Sequence, residues 1–280
     1  MLEYLNSRFD WQDADLVSAL DEVSLWSAAF GLMLLDHLEL HTDMTVLDVG
    51  CGNGFPLLEL SQRLGPSSYL YGLDLWQRAL ERIKFKITSL GIGNVGPVRG
   101  DAALMGFKDE SFDLIVSNLG INNFESPGRV MPECFRVSKA GGRIALTTNP
   151  EGHMQEFYDV FRETLQESGL GHLLAELEGH IRHRLPAAHI VTLLEKAGFG
   201  DSRTVERSLT MGFVDGTAFL GHYFIRCGFL AAWKAIVPVQ DLERVFARLE
   251  ANLNAAAREQ GVLKVTVPMA YIEARKSLTS

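Results

Sequence analysis

The stretch TVLDVGCGNG, residues 45–54, constrains the fold more than any other part of the chain. An apolar run through Val46, Leu47, Asp48 and Val49 enters a turn carrying Gly50, Gly52 and Gly54. Leu57, Leu60 and Leu64 follow at helical spacing, with Pro56 suited to the first helical position. Alternating glycines let backbone approach a ligand where a side chain would collide, and the helix behind them presents unpaired N–H groups. A second apolar run, residues 69–73, ends at Asp74. In a doubly wound sheet an acid at that place lies beside the ribose hydroxyls of a bound nucleoside.

The glycine spacing separates two kinds of nucleoside site. A dinucleotide fingerprint reads G-x-G-x-x-G with its third glycine inside the helix, whereas this chain reads G-x-G-x-G after Asp48. Three further motifs follow in order: GLDLW at 72–76, GDAALMGFKDESFDLIVSNLGINNF at 100–124, and GGRIALTTNP at 141–150. With these the chain resembles the class I S-adenosylmethionine-dependent methyltransferases, particularly the small-molecule branch that includes ubiquinone and menaquinone C-methyltransferases. The resemblance is close over residues 45–150 and is one of layout elsewhere. It implies an α/β fold, Rossmann-like, with a doubly wound, seven-stranded, mostly parallel sheet. It also implies S-adenosylmethionine as cofactor and direct in-line methyl transfer to a small-molecule acceptor. Two rivals stay open: a Rossmann-type dehydrogenase, and a regulatory protein that binds the cofactor but transfers no methyl group.

On that resemblance Asp48, Gly50, Cys51, Gly52 and Gly54 hold the methionine end, the N–H groups of Gly50 and Gly52 approaching it. Asp74 takes both ribose hydroxyls, and Leu75 and Trp76 pack on adenine. Asp101 and Ala102 read the adenine edge, while Asn118 and Leu119 meet the methionine part through backbone. The expected acceptor pocket draws on Trp26, Phe30, Asn122, Asn123 and Tyr223. Asn118-Leu119-Gly120-Ile121 departs from the N/D-P-P-Y/F pattern that grips planar amines, which argues against nucleic-acid bases and amides as acceptors.

A sulfonium is already an activated leaving group, so the protein must mainly orient the reactants and exclude water; no metal is expected. An acceptor that loses a proton favours a base, and the candidates are His153, His180, His183 and His222. Asn122 and Asn123 stand where small-molecule relatives often place histidines, and amides can only orient.

Apolar periodicity predicts helices at Gln77–Leu90 and Pro127–Val137, and strands at 95–99, 112–117, 143–148, 202–213 and 263–273. Pro268 inside the last of these suits an edge strand or a bulge. Residues 1–44 read as an N-terminal helical cap, in which Leu16, Leu20 and Val23 begin an apolar stripe and 25–38 continue it. Residues 45–150 form the cofactor-binding core, and 151–280 the rest of the sheet with two helical insertions, about 151–185 and 214–261. Insertions after the fifth and sixth strands lie over the ligand-binding edge of such sheets, so these two are expected to form a lid.

The 26 Lys and Arg residues face 35 Asp and Glu, a net charge of −9 that repels polyanions, so no nucleic-acid partner is expected. Cys51, Cys134 and Cys227 are too scattered for a disulfide framework or a C-x-x-C metal pair. No apolar run approaches the roughly 20 residues of a membrane span. Glu3, Arg8 and Asp10 stand where a secretion signal would be apolar. The expectation is a cytoplasmic enzyme, monomer or homodimer, acting on a small molecule.

Overall fold

The computed structural model describes residues 2–21 and 25–278, so Val23 lies outside the described residues. Seven strands form one sheet: β1 (Thr45–Val49), β2 (Tyr69–Asp74), β3 (Val95–Arg99), β4 (Phe112–Asn118), β5 (Ser138–Thr148), β6 (Phe199–Phe213) and β7 (Leu263–Lys276). Their order is β3-β2-β1-β4-β5-β7-β6. The first five pair in parallel, and β7 runs antiparallel to β5 from Arg143↔Arg275 to Thr148↔Ala270. The α/β, mostly parallel sheet implied by the motifs is the one observed.

β4 shows why the centre is parallel. Phe112, Leu114, Ile115 and Val116 are all buried, as strands covered on both faces require. Among the described residues five α-helices precede β5: α1 (Ala14–Asp21), α2 (Leu25–His37), α3 (Leu57–Leu64), α4 (Gln77–Leu90) and α5 (Pro127–Val137). Two more, α6 (Gln155–Glu167) and α7 (Leu174–Ile181), come before α8 (Ala187–Ala197). Leu47, Val49, Ile115 and Ile144 share a core with Val130 and Met131 of α5 and Ile190 and Leu194 of α8. Strand alternation turns Asp48 to the opposite face, where α3 packs: a Cβ on its cross-strand partner Gly72 would lie 2.5 Å from Leu57 Cδ2. α2 packs against β4 and β5.

The described chain divides into two compact units. One holds Asp10–Asn149, Leu185–Arg207 and the chain from Met269 onward; the other holds the chain up to Phe9, Pro150–Arg184 and Ser208–Pro268. Most of the segment expected as an N-terminal cap, from Asp10 to Met44, therefore clusters with the nucleotide-type core. The second unit is largely helical, adding α9 (Gly216–Gly221), α10 (Tyr223–Gly228), α11 (Leu230–Ile236) and α12 (Leu242–Gln260). Its centre is aromatic: Phe157 stacks on Trp233 with centroids 4.1 Å apart and lies 5.2 Å from Phe219, all three fully buried. Asp215 starts α9 by accepting the Ala218 N–H at 2.8 Å, and extended His222 separates α9 from α10, breaking one long apolar run into short helices.

Several local expectations change. Pro56 is the residue before α3, not its first, and its carbonyl accepts from the Leu60 N–H at 2.9 Å. The glycine turn at 139–142 lies inside β5, where pairing steps from Phe112↔Ser138 to Leu114↔Arg143. β7 is an interior strand and β6 is at the edge, so of the two alternatives that Pro268 allowed the edge position is not the one observed. The proline is tolerated because registered pairing with β5 begins at Ala270, so no ladder bond to that strand is required of residue 268. Among the described residues no single helix is long and apolar enough to cross a membrane.

Candidate functional site

β1 has β2 on one side and β4 on the other, so the connections leaving its neighbourhood run in opposite directions. Ligands of open α/β sheets bind at such a switch point, outside the carboxyl ends of the strands. A cavity of about 620 Å³ lies there, entirely within the first unit. Its wall takes Gly50 and Gly52 after β1, Asp74, Leu75 and Trp76 at the end of β2, and Asp101 and Ala102 after β3.

The glycine turn is held by β2. The N–H groups of Gly50 and Cys51 both donate to the Leu73 carbonyl, at 2.8 and 3.2 Å, and the Gly52 N–H donates to Asp74 Oδ2 at 2.8 Å. Asp74 Oδ1 accepts the Trp76 N–H, also at 2.8 Å. These N–H groups are engaged inside the protein rather than offered to a ligand, which corrects the role expected for Gly50 and Gly52. What Gly52 does offer is room. It has φ +50°, and a Cβ there would meet no protein atom within 4 Å.

Asp48 lies beneath this turn, fully buried, with neither carboxylate oxygen hydrogen-bonded. Burial above all, and the nearby Asp74 charge, push its carboxyl up to about 8; the Leu57 N–H, which points toward it without the geometry of a full hydrogen bond, offsets only part of that. Cys51 is buried beside it, and burial raises its thiol well above the ordinary range, so no thiolate chemistry arises there.

The structure brings Gly50, Gly52, Asp74, Leu75, Trp76, Asp101, Ala102 and Asn123 to the cavity wall. It leaves several other candidates out of that wall. Gly54 packs on Ile83 and Leu58. Asn118 donates to the Ser27 carbonyl at 3.1 Å and accepts from Thr147 Oγ1 at 2.7 Å, tying α2 to β5. Leu119, left-handed at φ 64°, donates its N–H to the Thr147 carbonyl. Asn122 donates to Asn149 Oδ1 and accepts from Thr148 Oγ1, both at 2.6 Å. Trp26 and Phe30 are core residues of α2, 4% and 0% exposed. The wall also holds residues that sequence reading passed over: Phe124, Glu125, Ser126 and Arg129. The Ser126-Pro127 helix start in the connection from β4 to α5 was the available signal for them.

A family model described as a methyltransferase domain matches residues 40–198, more than half of the chain. The chain belongs to this methyltransferase-domain family. A demethylmenaquinone methyltransferase of Geobacillus kaustophilus is 34% identical over 120 residues, covering 41% of this chain and 51% of that protein. The match thus spans about half the length of that curated relative. A SAM-dependent methyltransferase from Aquifex aeolicus superposes with a TM-score of 0.52 at 21% identity, over 72% of this chain and 93% of the other. The [4+2]-cyclase SpnF does so with 0.53 at 18%, over 90% and 81%. These structures share the fold, and one fold can host different chemistries.

In this methyltransferase-domain chain the candidate bases all lie in the helical unit. His153 is 2% exposed and its Nδ1 has no partner. Burial first, then Arg184 and His180, hold its imidazole down at about 3, so it is neutral at physiological pH. His180 is half-buried, and burial lowers it too. His183 is exposed on the surface. His222 stands apart with Phe213 and Tyr223, ring centroids 5.5 and 4.8 Å away. Among the described residues no three His, Cys, Asp or Glu side chains gather as metal ligands would.

Gly52→Val tests the cavity wall. The substitution strains a left-handed backbone and projects methyl groups into open space. Calorimetry should show loss of S-adenosylhomocysteine binding, with the circular dichroism of the folded protein retained. Unchanged binding would make the turn a packing device only.

Proposed function

We propose that this chain transfers a methyl group from S-adenosylmethionine to a small planar acceptor. The observation that carries the reading is the Asp74 carboxylate in the cavity wall, joined to the Gly52 N–H at the switch point of the sheet. The residues fit the nucleoside. Asp74 is an acceptor for ribose hydroxyls, exposed Leu75 and half-buried Trp76 offer apolar surface for adenine, and Asp101 accepts from an amine. Arg129, an exposed cation in the same wall, suits the methionine carboxylate. When bound, the sulfonium supplies a methyl group already activated for displacement. The chain's own part is to orient that donor, hold the acceptor in line and keep water out.

The acceptor class follows from the named relatives and from the apolar, aromatic helical unit. We assign 151–185 and 214–261 the role of a lid that closes over the acceptor. Hydrogen exchange should then show protection rising in both segments, more than in Ala187–Ala197, which lines no part of the cavity, when S-adenosylhomocysteine and an acceptor analogue are added. Equal protection in both states would make the segments a rigid annex. The reading carries with it a cytoplasmic monomer or homodimer whose partners are small molecules rather than nucleic acid.

The direct test is calorimetry with S-adenosylhomocysteine, followed by mass spectrometry of reduced demethylmenaquinone incubated with S-adenosylmethionine. Binding and a mass gain of one methyl group are expected. Binding of NADH in place of S-adenosylhomocysteine would return the dehydrogenase reading. Binding without turnover across quinols, phenols, amines and thiols would support a non-catalytic cofactor-binding protein.

A further inference from the structure

Residues 11–21 are joined to the start and the middle of α4, against which α1 packs. At one end the Trp76 indole N–H donates to the Trp11 carbonyl at 2.7 Å, and Arg78 Nε donates to the Gln12 carbonyl at 2.9 Å. The Trp11 ring meets the Trp76 ring edge-on, with centroids 5.5 Å apart and planes at 78°. At the other end Asp21, the last residue of α1, pairs with Arg82 Nε at 2.5 Å and Lys86 Nζ at 2.6 Å. Its side chain is only 10% exposed, so this carboxylate is a packed anchor rather than a solvated charge. All of these residues belong to the unit that holds the cavity.

Both ends reach past these pairs to the cavity wall. Trp76 is part of that wall, and Lys86 Nζ also donates to the Asn53 carbonyl, inside the glycine turn, at 2.7 Å. That turn needs holding. Gly50, Gly52 and Gly54 have φ of +77°, +50° and +103°. Glycine loses more conformational freedom on ordering than any other residue, so a turn built on three of them is costly to keep in one shape. β2 fixes its first half through the Leu73 carbonyl and the Asp74 carboxylate. Lys86 fixes its second half with a charged donor that Asp21 keeps in place.

We propose that Trp11, Asp21 and Lys86 are positioning residues of the methyl-transfer site, through which the segment 11–21 sets the affinity for S-adenosylmethionine. The proposal rests on the methyl-transfer reading. None of the three lines the cavity, so each acts through a residue that shapes it. Asp21 aims the Lys86 ammonium, Lys86 holds the Asn53 carbonyl, and the turn keeps the open space at Gly52. Trp11 restricts the Trp76 ring, whose surface in the wall is the one assigned to adenine.

An exposed ion pair contributes little to stability. Here the carboxylate is shared by two cations and the ammonium by two acceptors, and one of those acceptors is the backbone of the turn. Losing Lys86 therefore loosens a binding element rather than one surface contact. A turn already in its bound shape spares the ligand the cost of ordering it, and that saving is read as affinity. The effect falls on donor binding in ground state and transition state alike, which moves KM more than kcat.

Lys86→Met keeps the aliphatic stem and removes the donor. Hydrogen exchange on the cofactor-free chain should show amides 52–54 exchanging about 10-fold faster than in wild type. Calorimetry should show S-adenosylhomocysteine bound about 10-fold more weakly by Lys86→Met, and about 3-fold more weakly by Asp21→Asn and by Trp11→Ala. With reduced demethylmenaquinone as acceptor, KM for S-adenosylmethionine should rise about 10-fold in Lys86→Met, and kcat should change by less than about 3-fold. Lys86→Arg returns a charged donor and should recover most of the affinity. A merely structural role gives a different pattern: a lower urea midpoint in Lys86→Met with wild-type affinity and wild-type exchange in the turn. That result overturns the proposal, as does an equal loss of affinity in Lys86→Arg. Asp21→Asn keeps the side-chain volume and carries the same test if Lys86→Met does not fold. If the wild-type chain fails to bind S-adenosylhomocysteine, the methyl-transfer reading fails by itself, because the exchange comparison is made without cofactor.

Discussion

Asp74→Ala is expected to weaken S-adenosylmethionine and S-adenosylhomocysteine binding by ~30-fold to ~1000-fold, an effect of about 2–4 kcal/mol. Two losses combine. The ribose hydroxyls lose a charged acceptor, and the Gly52 and Trp76 N–H groups, each 2.8 Å from this carboxylate, lose theirs. The second loss loosens the glycine turn that shapes the cavity wall. Asp74→Asn keeps one carbonyl oxygen and should fall between wild type and Asp74→Ala. Calorimetry gives the affinities, and hydrogen exchange at 50–54 reports the loosened turn. Unchanged affinity in Asp74→Ala would remove the ribose assignment and much of the motif alignment with it.

Asp48 should make the protein less stable as pH rises. Its carboxyl is raised from 3.8 to about 8 in the folded chain, so between those values the folded state holds a proton that the unfolded state has released. An acid with a raised folded pKa favours folding fully below pH 4, and that advantage is lost progressively up to about pH 8. Across pH 5 to 8 the loss is on the order of 4 kcal/mol, at about 1.4 kcal/mol per unit. Asp48→Asn fills the same space without a charge to bury and should flatten this slope. Urea unfolding of both proteins at pH 5 and pH 8 measures it. Equal slopes would mean that Asp48 is ionised and partnered in solution.

Both predictions concern residues that could be found by reading along the chain. The β1–turn–α3–β2 unit is local: alternating and helical periodicities, three glycines and a strand-terminal acid lie within 30 residues of one another, and neighbouring residues decide such geometry. The motif order likewise carried the α/β sheet and the residues at its carboxyl edge. Apolar character alone could not assign a role. Trp26 and Phe30 were expected in the acceptor pocket, and burial makes them core instead. Pro268 suggested an edge or a bulge and could not choose, because local sequence does not contain strand order, and β6 supplies the edge.

The histidines mark the same boundary more sharply. His153 and His180 could be picked out as bases by residue type, yet Tyr158 and Trp233 carried no sequence signal. Tyr158 meets partners 5, 22 and 75 residues away, and the hydrogen bonds among them exist only once α6, α7 and α11 are packed. Burial removes the water that would otherwise solvate the His153 ring, so its hydrogen bonding is a property of the folded unit. The sequence by itself determined the sheet, the glycine turn and the acid at the end of β2, because their chemistry is set by adjacent residues. Only the tertiary structure decided which polar groups are orphaned and which N–H groups are already engaged, because each depends on what distant segments bring within about 3 Å.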